Sequence, residues 1–418
     1  MSVKNNDKNI DFRNILKYNV LHNKFGIGEI KMKIQISNAV KYIGVDDKTI
    51  DLFESQYIVP NGVSYNSYVI MDDKIAVMDT VDRRKTDEWL ANLDEVLGDK
   101  TPDYLVISHL EPDHSSNIRI LAEKYPDMKL VGNAKTFSMM PNYFEDFDFS
   151  GRTVTVKEGD TLELGSHTLS FFMAPMVHWP EVMVSYESTE KILFSADGFG
   201  KFGALDTDED WACEARRYYF NICGKYGAQV QALLKKAASL DIKTICPLHG
   251  PILSENLGYY INLYDIWSKY EPETDGVFIA YCSIHGNTET AAKKLYDILK
   301  SKTDKKISIA DLAREDLAEC VEDAFRYSKM IVAAPTYDAD VFPIMNDFLH
   351  HLKIKGYKNR TVGIIENGSW APNAAKVMNG YFESMKNITV VPTKVSLRAA
   401  MKKSDVANLE QLADEILA

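Results

Sequence analysis

Apolar and polar residues alternate in short runs through the first half of the chain, and this period of two predicts strands rather than helices. Met32 opens Lys-Ile-Gln-Ile-Ser-Asn-Ala-Val, which reads as the start of a first strand. Further strands are expected at residues 40–45, 67–71, 74–78, 104–108, 129–132, 153–156, 167–173, 182–186 and 191–195. Asp72-Asp73, Gly159-Asp160 and Gly165 punctuate them as turns. Helical spacing shows at 86–97 and 117–125, and a long amphipathic core helix is expected over 211–240. A short strand at 244–246 then runs into Pro-Leu-His-Gly-Pro. Many strands with few helices predict a layered α/β sandwich.

After Glu271-Pro-Glu-Thr-Asp-Gly276 the rhythm changes. That segment is polar and turn-forming, so it is taken as a domain boundary. Five strands, at 277–282, 307–311, 330–335, 361–366 and 389–393, alternate with helices beginning near Thr288, Glu315, Pro343, Pro372 and Ser404. Such βα alternation predicts a doubly wound parallel sheet. The expected organisation is an Asn- and Lys-rich extension over 1–31, a strand-rich domain over 32–270, and an α/β domain over 271–418.

Composition narrows the function by exclusion. The chain has 418 residues, 45% of them hydrophobic and 26% charged, which is ordinary globular usage. Its 48 Lys and Arg against 60 Asp and Glu give a net charge of −12, a poor match for nucleic acid or an anionic membrane face. No apolar run reaches the ~18–20 residues of a membrane span, and the N-terminus lacks a secretory apolar region. Five cysteines without a Cys-x-x-Cys pair argue against a disulfide framework and a Cys-built zinc or iron–sulfur site. A cytoplasmic location is expected.

The sharpest motif is Ser108-His109-Leu110-Glu111-Pro112-Asp113-His114, directly after an apolar strand. Pro112 forces a turn, which directs His109 and Glu111 one way and Asp113 and His114 another. Ligands divided in this manner suit two adjacent metals. His178, Asp197 and His249 each follow an apolar strand and complete the candidate set. The set has no thiolate, so iron, zinc and manganese all remain open on its chemistry. One carboxylate, best placed at Asp197, can bridge two ions ~3.5–4 Å apart.

A second motif, Ser283-Ile284-His285-Gly286-Asn287-Thr288, joins the first strand of the second domain to its helix. Small hydroxyl-bearing residues at a helix N-terminus suit a phosphate. Pro335-Thr336-Tyr337-Asp338 and Asn367-Gly368-Ser369-Trp370 lie at the ends of two further strands, where ligands of this fold bind. Tyr337 and Trp370 offer aromatic faces, and Gly368 permits close backbone approach.

His-x-Glu-x-Asp-His resembles the metallo-β-lactamase superfamily motif, with Glu111 where the hydrolases have a second His. That replacement marks the flavodiiron proteins, and the resemblance runs over about 32–418. It implies a metallo-β-lactamase-like αββα sandwich followed by a flavodoxin-like parallel sheet of order 2-1-3-4-5. It further implies one iron on His109, Glu111, His178 and Asp197, and a second on Asp113, His114, His249 and the shared Asp197. FMN is expected on the three loops, with Tyr65 as a pocket residue able to give a proton. The implied activity is reduction of O2 to water or of NO to N2O. Electrons would come from a separate rubredoxin or similar donor, and the assembly would be a head-to-tail homodimer or a dimer of dimers. A dinuclear zinc hydrolase and a non-catalytic flavin carrier are the alternatives.

Overall fold

The computed structural model describes residues 36–418, all within one compact unit (Gln35–Ala418). The extension at 1–31 and the strand start at Met32 lie outside the described residues.

A six-stranded sheet runs in the order Val40–Tyr42, Tyr68–Ile70, Ala76–Met78, Tyr104–Val106, Lys129–Asn133, Thr153–Val156. A five-stranded sheet runs Thr161–Glu163, Thr168–Met173, Met183–Glu187, Ile192–Phe194, Thr244–Cys246. Side chains alternate between faces along a strand. Tyr68, Ile70, Ala76 and Met78 therefore meet Leu169, Phe171, Met183 and Phe194 between the two sheets. The intervening Val69 and Val77 face outward onto Trp89 and Leu93 of the Thr86–Leu97 helix. Two sheets face to face with helices outside make the layered sandwich that the strand pattern predicts, in the αββα order that the resemblance implies.

The second half holds a sheet of order Lys306–Asp311, Thr274–Tyr281, Tyr327–Tyr337, Arg360–Asn367, Ile388–Leu397, all parallel along this path. In chain order this is 2-1-3-4-5. Its central strands read as continuous apolar runs because both faces are covered. Val277 and Ile279 pack on one side, Phe278 and Ala280 on the other.

One expectation needs correction. The single helix over 211–240 is broken. Trp211–Tyr218 is followed by a wide turn at Tyr219–Cys223, a tight one at Gly224–Tyr226, and a second helix at Gly227–Ala237. Two glycines weaken the helix there. The Tyr270 hydroxyl donates to the Gly224 carbonyl at 2.7 Å and accepts from the Gly227 amide at 3.3 Å. A Cβ at residue 227 would stand 2.3 Å from the Ser268 carbonyl oxygen, so only glycine lets the second helix approach. Residues 271–276, where the boundary is expected, are held to the first half. Glu273 accepts from Arg216 at 2.7 and 3.0 Å and from Trp267 at 2.8 Å, and Thr274–Tyr281 is already strand. One apolar cluster runs unbroken from Val184 and Ile245 through Phe220 and Trp267 to Phe278 and Val332.

Candidate metal and flavin sites

The strand Tyr104–Val106 ends beside Asp79, whose carboxylate accepts from the Ser108 amide and hydroxyl, each at 2.7 Å. That clamp fixes the chain where His109 begins. Glu181 accepts from the Leu110 amide at 2.8 Å, holding the backbone between His109 and Glu111. Pro112 then starts a one-turn helix, Pro112–Ser115, which carries Asp113 and His114. The turn expected at Pro112 is present, as the first turn of a helix. Asp79 and Glu181 are buried carboxylates that no motif singled out.

The structure brings the seven side chains into two adjacent groups. His109, Glu111, His178 and Asp197 offer ligand atoms that all lie within 4.8 Å of one another, and so do Asp113, His114 and His249. Asp197 stands between the groups. Its Oδ2 is 3.1 Å from both His109 Nε2 and His178 Nε2, while its Oδ1 is 3.7 Å from His249 Nε2. Glu111 Oε2 lies 2.9 Å from His178 Nε2, and Asp113 Oδ2 lies 3.2 Å from His249 Nε2.

The protons available do not satisfy this arrangement. His249 Nδ1 lies 2.7 Å from the Ser64 carbonyl and His114 Nδ1 3.2 Å from the Thr80 carbonyl. A carbonyl only accepts, so each Nδ1 is the donor, and in the neutral ring Nε2 carries the lone pair. Those two nitrogens face each other at 3.1 Å. Opposed lone pairs at that distance repel unless a shared proton or a metal ion lies between them. Both Asp197 oxygens, both Asp113 oxygens and both His109 nitrogens are buried without a hydrogen-bond partner. Buried orphans are rare in folded proteins and point to a missing ligand.

Electrostatics agree. Burial opposes charge on His178, but Asp197 and Glu111 outweigh it and lift the imidazole to about 10. Burial likewise opposes the Glu111 charge, and His109 and His178 override it, bringing the carboxyl down to about 2. Asp197 is held well below the carboxylate range, with its burial penalty overcome by His109 and His178. The cluster favours bound positive charge. Three carboxylates and four imidazoles without sulfur are a donor set for a pair of hard or borderline divalent ions.

Tyr65 packs its ring near the edges of His249 and His114, with centroids 5.9 and 6.1 Å away, and its oxygen accepts from Arg84 at 2.9 Å. Trp179 stands edge-on to His109 at 6.4 Å and beside Tyr143, forming pocket wall. Phe53, from the unforeseen hairpin Leu52–Phe53 and Tyr57–Ile58, lies 5.4 Å from His249. Two-residue strands leave almost no periodic signal.

In the second half, the first loop follows the strand Thr274–Tyr281, while Pro335, Thr336 and Tyr337 end the neighbouring strand Tyr327–Tyr337 and Asn367 ends Arg360–Asn367. Gly286, at φ +84°, closes the first loop, and its amide donates to Ser283 Oγ at 3.0 Å. No side chain caps the Asn287–Lys302 helix, so its first-turn amides remain available. Thr288 is buried at this end, while Ile284, His285 and Asn287 are exposed. A helix start of this kind fits a phosphate. Gly368 is required, since a Cβ there would meet Pro372 at 2.8 Å. Asn367 is tied to Ala399 through both side-chain atoms. Thr336 Oγ accepts from the Asn373 and Ala374 amides at 2.8 and 3.0 Å, so this oxygen serves the start of the Ala374–Glu383 helix. Pro335 is buried, whereas Tyr337, Asp338, Ser369 and Trp370 line an open rim, with Trp370 89% exposed. An aromatic left this open suits stacking on a planar ligand.

Comparison with known proteins places the arrangement. A family model described as ODP family beta lactamase matches residues 63–250. The nitric oxide reductase of Moorella thermoacetica is 28% identical over 399 residues, covering 92% of this chain and 98% of that protein. The rubredoxin-oxygen oxidoreductase of Megalodesulfovibrio gigas is 27% identical over 395 residues, covering 91% and 96%. Among solved structures, rubredoxin oxygen:oxidoreductase from Desulfovibrio gigas superposes with a TM-score of 0.86 at 26% identity, over 92% of this chain and 97% of that one.

Proposed function

We propose that the chain is a flavodiiron protein and that it reduces O2 to water, or NO to N2O and water, with electrons from an external rubredoxin-type donor. The observation that carries the reading is the pair of ligand groups sharing Asp197, one oxygen turned toward each. His109, Glu111, His178 and Asp197 would hold one iron, and Asp113, His114, His249 and Asp197 the other. The loops at 283–288, 335–338 and 367–370 would hold FMN. When bound, FMN and the iron pair each store two electrons, which together match the four needed for O2 and exceed the two needed to couple two NO.

The chain's own residues supply position and protons. Asp79 and Glu181 fix the His109–Glu111 backbone from both sides. The Ser64 and Thr80 carbonyls set the tautomers of His249 and His114, so both rings present Nε2. Such outer partners orient ligands and raise their basicity. Burial pushes the Tyr65 phenol far above its ordinary value, so it stays protonated and serves as a donor at Oη, with Arg84 holding that oxygen. Trp179 and Tyr143 screen the His109 side from water.

The three flavin loops and the metal groups belong to different halves of the chain, which favours an assembly that sets one subunit's flavin loops against another's metal groups. A head-to-tail homodimer, or a dimer of two such dimers, would do so. No helix among the described residues is long and apolar enough to cross a membrane. With five unpaired thiols, a reducing cytoplasm is the proposed compartment. The reading is tested by measuring iron and FMN in the purified protein and its consumption of O2 and NO after anaerobic reduction. A colourless zinc protein without flavin would overturn it.

A further inference from the structure

The helix Trp211–Tyr218, from the sandwich half, meets the helix Leu317–Arg326, from the flavodoxin-like half, across a dense ionic network. Arg216 serves two carboxylates there, Glu273 and Glu322. Arg217 serves three: Glu214 at 3.1 Å, Asp316 at 2.7 Å and Glu319 at 3.3 Å. Two guanidiniums against five carboxylates leave 2 − 5 = −3 within this network. Unpaired charge in such surroundings is costly and calls for a cation or a proton.

A thiol stands at the same place. Cys213, Glu319 and Glu322 offer ligand atoms that lie within 4.8 Å of one another. Arg216 takes only Oε1 of Glu322. The other oxygen, Oε2, has no hydrogen-bond partner although the side chain is 2% exposed. The Glu319 side chain is 44% exposed, which leaves a way in. A cavity of about 130 Å³ lined by Glu214, Arg217, Asp316 and Glu319 reaches the Glu319 side of the cluster. Burial lifts Glu322 to about 8 and Glu319 to about 7, the direction expected where positive charge is in short supply.

We propose that Cys213, Glu319 and Glu322 form a second metal site, one that takes a single thiophilic divalent cation of the zinc type. One sulfur with two carboxylate oxygens excludes magnesium and calcium and suits zinc, with solvent as the fourth ligand. Binding displaces the Cys213 thiol proton and any proton on Glu319 or Glu322, and no electron moves. The ion would join the two halves through residues that are none of the proposed iron ligands.

The test uses the iron- and FMN-loaded protein and Cd2+ as the probe. The iron ligands include no sulfur, so a cadmium–thiolate charge-transfer band in the ultraviolet reports a cysteine site, and its loss in Cys213→Ser assigns it among the five free thiols. The band should grow to saturation at one equivalent and vanish in Cys213→Ser, with iron and flavin content unchanged. Glu319→Gln, at a partly exposed position, should weaken binding about ten-fold or more. If no band forms at stoichiometric Cd2+, or if it persists in Cys213→Ser, the network is neutralised by protons and the proposal fails. Should Cys213→Ser not fold, unchanged affinity in Glu319→Gln would overturn it equally.

Discussion

Asp197 is the side chain on which the site turns, because each of its two oxygens faces a different ligand group. Replacing it with Ala should remove most of the iron while leaving FMN in place, measurable as metal content against flavin absorbance. The seven candidates were legible in the sequence because each follows an apolar strand, and strand ends converge. Asp79 and Glu181 were not, since a lone carboxylate carries no spacing signal and its partners are backbone amides 29 and 71 residues away. A second prediction concerns His167, which lies 2.8 Å from Asp72 and near Glu190. Burial opposes its charge, but Asp72 and Glu187 prevail, so its folded value lies above the ordinary 6.5. The ion pair therefore contributes fully below pH ~6.5 and is lost as pH rises through the folded value. The difference in Tm between the native protein and His167→Gln should shrink as pH is raised from 6 to 9.

Among elements, the parallel sheet was the most legible. Its strands alternate with helices at regular spacing, and burial on both faces makes each strand an unbroken apolar run. The Trp211–Ala237 region misled because a helical period survives across Gly224 and Gly227, while the break is decided by Tyr270, over forty residues away. Gly227→Ala should therefore cost ~1–3 kcal/mol through overpacking against Ser268, read as a fall in thermal stability. The first flavin loop makes a separate prediction. Gly286 sits at φ +84°, where a β-branched residue is strained by ~1–3 kcal/mol. Gly286→Val should weaken FMN affinity about ten-fold, with iron content unchanged.

On the scale of the whole molecule, the change of rhythm near residue 271 was legible, but the tightness of the join was not. Ion pairs between residues 57 and 106 positions apart cannot be read from local pattern. Arg216 ties Glu273 and Glu322 to the sandwich half beneath a continuous apolar core. Arg216→Met would leave the Glu322 carboxyl buried without its partner, a loss of ~3–5 kcal/mol. Because the core is shared, denaturation should shift for both halves together, seen alike in flavin release and in far-ultraviolet dichroism. The net charge of −12 follows in part from this junction, where carboxylates outnumber guanidiniums.

The central claim is that the metal groups around Asp197 turn over O2 or NO with electrons held on the same protein. Anaerobic stopped-flow tests it most directly: the fully reduced protein is mixed with O2, and separately with NO, and flavin reoxidation is followed beside Asp197→Ala. The account predicts rapid reoxidation by at least one gas in the native protein and slow reoxidation in the variant, with FMN retained in both. Reoxidation no faster in the native protein than in Asp197→Ala would contradict it.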